Sequence, residues 1–174
     1  MKYLIAFCFV LLVNQVSFGQ KPQAGDYITK NYINKYEGTW MWTSGSDTVI
    51  FKLKKLKYTY TSPAFDADVL LGCHTYIQTG VLVESSMNKY DSIVNYNKHK
   101  LRTVTGWNDP AEDTSKVSGI LWDITKNKRV GLTLQYIAGS PPQLQLEMKA
   151  LADVILDPTP LGATLPTNMV FIKQ

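Results

Sequence analysis

Apolar and polar residues alternate along most of the chain after Tyr36, a pattern typical of β-strands with one buried face. In the segment 143–149, apolar residues occupy every second position and polar residues the positions between them. The same period runs through 48–57 and 129–137. The pattern predicts strands at 37–44, 48–57, 70–77, 81–86, 101–107, 117–125, 129–137, 143–149 and 168–173.

Short turn sequences separate most of these strands. Gly-Ser-Asp at 45–47 is typical of a tight turn, because glycine accepts a positive φ and aspartate bonds its own backbone. Longer loops are predicted at 62–69, 108–115 and 150–166, while 88–100 is polar and stays unassigned. Eight or nine short strands with little helix indicate a sandwich or a barrel. We predict an all-β fold: a single antiparallel up-and-down β-barrel of the lipocalin-like kind.

The N-terminus predicts a secretory signal peptide at residues 1–19. Met1-Lys2 gives a positive start, an apolar stretch follows, and Ser17 and Gly19 occupy the positions that a signal peptidase reads. We therefore expect cleavage after Gly19 and an exported protein, periplasmic or extracellular. The apolar stretch is too short for a membrane span, and no lipoprotein cleavage pattern indicates a stable membrane anchor. Cys8 leaves with the signal, so the second cysteine, Cys73, has no disulfide partner.

The remaining chain divides into a polar leader, 20–35, and one β-barrel domain, 36–174. Apolar residues in the leader follow a loosely helical spacing, which predicts one or two helical turns that cap an end of the barrel. A chain of 174 residues is long enough to bury a core of its own.

The stretch YEGTWMW at 36–42 resembles a family of small secreted proteins of flavobacteria and their relatives, the domain of unknown function DUF6705. The resemblance continues through YIQTGVLVESS, LTLQYIAGSPPQLQLEM and the closing LPTNMVFIKQ. It covers nearly the whole chain after the signal. It implies export and a compact β fold, and it implies no activity.

Gly38-Thr39-Trp40 is also similar to the Gly-X-Trp signature that opens the first strand of lipocalins. In those proteins the tryptophan packs across the closed end of the barrel, under an arginine from near the chain end. The last strand here offers Lys173 instead, and the other lipocalin signatures are missing. The similarity therefore implies an architecture only.

The two histidines, His74 and His99, are the first residues to consider for catalysis. Cys73 precedes His74, but neighbouring side chains in a strand point to opposite faces, so the two cannot form a nucleophilic dyad. We expect a buried thiol beside a surface or barrel-mouth imidazole. No Gly-X-Ser-X-Gly or His-Glu-X-X-His pattern occurs. We predict no enzyme and no cofactor; an active site would need His74 or His99 to meet Asp123 at the barrel mouth.

Acidic residues occur in two predicted loops, as Asp66 and Asp68 and as Asp109, Glu112 and Asp113. Loop carboxylates can bind Ca²⁺, but this spacing matches no calcium loop, so solvated turns and no metal are predicted. The net charge of +4 is too small to indicate a nucleic-acid partner. Lysines at 52, 54, 55 and 57 are typical of a protected strand edge.

The inward-facing positions are apolar, and an eight-stranded barrel can either be filled by side chains or hold one small ligand. We therefore predict an exported binding protein for a small apolar ligand. The alternative is a structural or interaction protein with a filled core, whose loops at 62–69 and 108–115 contact another protein. The candidate lining residues are Trp40, Trp42, Phe51, Leu53, Trp122, Leu132, Leu134, Tyr136, Leu144 and Leu146.

Overall fold

The computed structural model describes residues 22–93, 104–107, 113–149 and 162–174, which form ten β-strands and two short 3-10 helices. The signal peptide, most of the 88–100 and 108–115 segments and most of the 150–166 loop lie outside the described residues. The helices are η1 (Asn31–Tyr36) and η2 (Met87–Ser92). The strands are β1 (Tyr27–Ile28), β2 (Gly38–Ser44), β3 (Asp47–Thr59), β4 (Asp66–Gln78), β5 (Val81–Ser85), β6 (Val104–Trp107), β7 (Lys116–Asp123), β8 (Lys128–Ile137), β9 (Gln143–Lys149) and β10 (Asn168–Lys173).

Eight antiparallel strands close into a barrel in the order β4-β3-β2-β10-β9-β8-β7-β6, and β6 completes the circle by pairing with β4. The remaining two strands lie on the same edge of β4 as β6. Along that edge β1 pairs at 66–67, β6 at 70–72 and β5 at 75–78. The predicted all-β antiparallel barrel is confirmed.

The prediction of a loop at 62–69 is wrong from Asp66 onward, because β4 already begins there. The two aspartates that suggested a loop are held by hydrogen bonds. Asp66 accepts one from the Thr59 hydroxyl, and Asp68 accepts two, from the Tyr27 hydroxyl and from the backbone N–H of Lys30. The two bonds to Asp68 attach the leader to the start of β4.

One end of the barrel is closed by η1. Ile33 and Tyr36 of this helix are fully buried, and the Tyr36 carbonyl accepts a 2.8 Å hydrogen bond from the Trp40 indole N–H. The Tyr136 ring meets both aromatic rings edge-on. The Lys173 ammonium lies 5.1 Å from the centre of the Trp40 ring, at the place where the Gly-X-Trp similarity implied an arginine. The leader thus caps the barrel with a 3-10 helix. At Tyr27–Ile28, where helical turns were predicted, the leader forms a short strand.

Strands β6 and β7 approach so closely that glycine is required between them. Gly119 pairs with Gly106, and a Cβ atom at Gly119 would collide with the carbonyl oxygen of Thr105. The obstacle is backbone, which cannot rotate away as a side chain can. The closure of the barrel therefore depends on this glycine.

We predict that Gly119→Ala lowers the free energy of unfolding by about 3 kcal/mol, because the methyl group forces β6 and β7 apart. Gly45→Ala is the control, since Gly45 has a positive φ and open space around it, and the change there costs only about 1 kcal/mol. Urea denaturation measures both. Equal losses of unfolding free energy in the two variants would show that the close approach of β6 and β7 adds nothing to the cost of the substitution at Gly119.

Candidate functional site

All the predicted lining residues except Trp122 belong to one interior cluster. Trp42 and Tyr136 are half-buried at its margin. The buried members are Trp40, Phe51, Leu53, Leu132, Leu134, Leu144 and Leu146.

Trp122 lies on the outer face of β7 with 38% of its surface exposed, so its assignment to the lining is wrong. Alternate residues of this strand are buried, including Leu121 and Asp123 on either side of the tryptophan. A buried aspartate in an apolar position is hidden from a hydrophobic pattern. Both oxygens of the Asp123 carboxylate accept hydrogen bonds, and these bonds determine which side chains of β7 point inward.

The described interior is packed by the chain's own side chains. Trp40, Phe51, Leu134 and Leu144 are completely buried. The centres of the Phe51 and Phe171 rings lie 4.7 Å apart. Phe171 is a buried residue of β10 whose neighbours in the strand are exposed, and the prediction of lining residues omitted it.

A buried polar pair interrupts this apolar interior. His74 Nε2 lies 2.7 Å from Glu84 Oε1, and the two side chains are 0% and 1% exposed. The other oxygen, Glu84 Oε2, accepts hydrogen bonds from the Thr125 N–H and hydroxyl at 2.8 and 2.7 Å. The pair therefore joins β4 and β5 to the turn between β7 and β8.

The environment of Glu84 favours its ionised form. Burial alone would raise the pKa of the carboxyl, but the hydrogen bonds from His74 and from the Thr125 N–H and hydroxyl outweigh burial and hold the pKa below the ordinary 4.5. A carboxylate that accepts several hydrogen bonds is stabilised as an anion even when it is buried.

The prediction of a surface or barrel-mouth imidazole is wrong, because His74 is fully buried beside Phe51. Cys73 points the other way, into an outer cluster with Leu71 and Ile93, against which Tyr90 of η2 packs. Burial raises the pKa of the Cys73 thiol. The two neighbours therefore lie on opposite faces of β4, as the strand geometry predicted.

Asp123 holds a segment that covers the second end of the barrel. Its buried carboxylate accepts hydrogen bonds from the Lys126 N–H, the Thr164 N–H and the Thr164 hydroxyl, at 2.7 to 2.9 Å. Residues 162–167, here named the strap, place Leu165 in the interior cluster. Because Asp123 pairs with Lys128 at the start of β8, while Tyr136 contacts η1 near the end of β8, the two closures lie at opposite ends.

The buried carboxylates of the described residues are engaged by hydrogen bonds. Glu84 and Asp123 each bind backbone and hydroxyl donors of their own. Within that part, no group of three or more His, Cys, Asp or Glu residues could hold a metal ion. His99, Asp109 and Glu112 lie outside it. No helix among the described residues is long and apolar enough to cross a membrane.

We predict that Glu84→Gln lowers the free energy of unfolding at pH 7 by about 3 kcal/mol, because a carboxamide cannot accept all the hydrogen bonds that the buried carboxylate accepts. A lowered folded-state pKa stabilises the protein above the unfolded value and ceases to do so as pH falls through the folded value. The difference between wild type and variant should therefore shrink below about pH 4.5. Urea denaturation from pH 3 to 7 measures it. The exposed Glu147→Gln is the control, and parallel wild-type and Glu84→Gln curves would contradict the assignment.

Comparison with known proteins gives a family and no activity. The model of the Family of unknown function (DUF6705) matches residues 1–174, which is the whole chain. No curated protein and no solved structure matches it. The resemblance that the tryptophan-rich opening hairpin indicated is thereby confirmed, and the chain belongs to the family of unknown function DUF6705.

Proposed function

We propose that the protein is an exported, non-enzymatic barrel that acts through its outer surface, in contact with other proteins. The observation that carries this proposal is the packed interior. Trp40, Phe51, Leu134, Leu144 and Leu146 are all completely buried. An interior filled in this way stabilises the fold and leaves recognition to the outside of the molecule.

Export is supported by the sequence of residues 1–19, which has the three regions of a secretory signal. The lack of a catalytic role is supported by the burial of His74 and Glu84 and by the position of Cys73 on the opposite face of β4. A general acid or nucleophile must reach its substrate, and none of these three groups is at the surface.

The outer surface offers apolar side chains for contact. Val81 and Leu82 of β5 are 65% and 60% exposed. The bonds between Glu84 and Thr125 bring β5 next to the β7–β8 turn, where Ile124 and Trp122 are also exposed. Grouped exposed apolar residues on a soluble protein commonly mark a site of interaction.

A carrier for a small apolar molecule is the second candidate. The half-buried Trp42 and Tyr136 favour it, because they border the apolar interior and carry an N–H and a hydroxyl that could orient a ligand. Entry would require the strap to release Leu165 or η1 to move. The two candidates differ in whether the wild-type interior accepts a molecule.

Benzene and a fluorescent fatty acid serve as probes for this difference. We predict that neither binds the wild-type interior, whereas Leu134→Ala binds benzene, because truncation of a buried leucine leaves an apolar cavity. The variant should be less stable than wild type by about 3 kcal/mol and should regain stability when benzene is added.

Thermal unfolding with and without each probe measures both effects, and Leu134→Ala is the positive control. Native mass spectrometry of the protein from its exported fraction completes the test. A stoichiometric small molecule on the wild-type protein, or its saturable stabilisation by the fatty acid, would overturn the filled-barrel proposal in favour of the carrier.

A further inference from the structure

The segment that closes the η1 end of the barrel lies outside the circle of eight strands. Residues 25–36, here named the plug, contain β1 and η1. β1 pairs with β4 over two residues only, at 66–67, and the circle runs from β4 through β3 to β6 without it. Removal of the plug therefore breaks no pairing between the eight strands.

The first half of the plug is attached to one short stretch of the chain, residues 64–68. The Gly25 N–H donates to the Ala64 carbonyl, and the Asp66 N–H donates to the Asp26 carbonyl, each at 2.8 Å. Both bonds lie beside the two-residue pairing of β1 with β4. Parallel pairing is slightly weaker per residue than antiparallel pairing, so a parallel strand of two residues needs support from side chains.

The buried Asp68 carboxylate supplies this support. Its Oδ1 accepts a 2.6 Å hydrogen bond from the Tyr27 hydroxyl, and its Oδ2 accepts a 2.8 Å bond from the Lys30 N–H. The Lys55 ammonium lies 3.5 Å from the same Oδ2. Burial alone would raise the pKa of this carboxyl, but the bonds from Tyr27 and Lys30 and the charge of Lys55 outweigh burial and hold the pKa below the ordinary 3.8. One ionised side chain thus joins β1 and the start of η1 to β4.

The second half of the plug is held by apolar contacts, and their fit is imperfect. Ile33 and Tyr36 are completely buried in the interior cluster. The Tyr36 hydroxyl, however, has no hydrogen-bond partner within the described residues. A buried hydroxyl without a partner loses the hydrogen bonds that water would give it. The docked plug therefore carries an unfavourable contribution that its release removes.

The chain is attached to the barrel again directly after the plug. Glu37 follows the last residue of η1, and its Oε1 accepts a 2.7 Å hydrogen bond from the Lys55 N–H of β3. This bond holds Glu37 against the barrel independently of the contacts that hold the plug. Rotation of the backbone between Tyr36 and Glu37 is therefore enough to move η1 away from the barrel.

We propose that the plug is a releasable closure of the barrel and that Asp68 holds it in place. In the released state residues 25–36 leave as one unit while the eight strands stay paired. Release frees the Trp40 N–H, whose acceptor is the Tyr36 carbonyl, and uncovers the Tyr136 ring that Tyr36 contacts edge-on. The docked state prevails because it buries the apolar side of η1, and release is a local opening of the native protein.

Amide hydrogen exchange, followed by NMR on the purified protein, tests this proposal. The N–H groups of Lys30 and Ile33 report on the plug, since they bond to Asp68 and to the Lys30 carbonyl. Leu146 of β9, a strand paired on both edges, reports on the barrel. After correction for intrinsic rates, the plug amides should exchange at least about a hundredfold faster than Leu146. Equal rates would mean that the plug opens only with the whole protein and would overturn the proposal.

Substitution of Asp68 tests its role in holding the plug. Asp68→Asn should accelerate exchange of the plug amides about tenfold and leave Leu146 unchanged, because an uncharged carboxamide accepts both hydrogen bonds of the plug more weakly. Asp66→Asn is the matched control, since its carboxylate bonds Thr59 and Lys57 of β3 rather than the plug. Unchanged plug amides in Asp68→Asn, or an equal acceleration of Leu146, would contradict the assignment.

Acid tests the same role in the wild-type protein. A carboxyl whose pKa is lowered on folding stabilises the docked plug above its unfolded value and ceases to do so as pH falls through the folded value, here below 3.8. The plug amides should therefore open more often in that range, while Leu146 does not. The other groups that face Asp68 are the Tyr27 hydroxyl and the lysines at 30, 55 and 57, which are all protonated in acid. The acid effect should persist in Asp66→Asn, and its loss there would assign it to Asp66.

The imperfect fit of the plug gives a test of opposite sign. Tyr36→Phe keeps the buried ring and removes the hydroxyl that lacks a partner. The plug amides of this variant should exchange about fivefold more slowly than those of wild type, because docking no longer buries an unsatisfied group. Faster exchange would show that the hydroxyl stabilises the docked state and would contradict this part of the argument for release.

Discussion

The barrel depends on the pairing of β4, which holds four other strands. One edge of β4 pairs with β3 over twelve residues of register, and its other edge takes up β1, β6 and β5 in succession. The β4–β6 pairing completes the circle of eight strands. Both faces of β4 are covered as well, the inner one by the core and the outer one by the cluster under η2. Removal of this strand would open the barrel and expose two apolar clusters at once.

The same double burial explains which strands the sequence could predict. β9 and β10 were predicted with their observed bounds, because each has one buried face and one exposed face and therefore alternates clearly. β4 begins with Asp66 and Asp68, whose roles depend on Thr59, Tyr27 and Lys30 elsewhere in the chain. A local pattern carries no information about such partners, and the start of the strand was therefore taken for a loop.

The candidate site was predictable to the same extent. Leu144 and Leu146 were placed correctly in the interior, because hydrophobicity alone sends them there. His74 and Trp122 were misplaced, because both positions are decided by buried carboxylates. Glu84 reaches His74 across the β4–β5 hairpin, where the register shifts between Tyr76 and Ile77, and no spacing rule anticipates this shift. Buried polar contacts of this kind arise from the tertiary fold, and the composition of the chain does not indicate them.

The pairing of Ile172 with Met41 joins two strands that lie far apart in the sequence. These two residues are separated by most of the chain, and contacts of such long range carry a high entropic cost and form late. The hairpins β2–β3, β7–β8 and β8–β9 can form as soon as each is synthesised. The circle cannot close until the last six residues of strand are present. A chain that emerges N-terminus first, from a ribosome or across a membrane, therefore stays an open sheet until β10 has arrived.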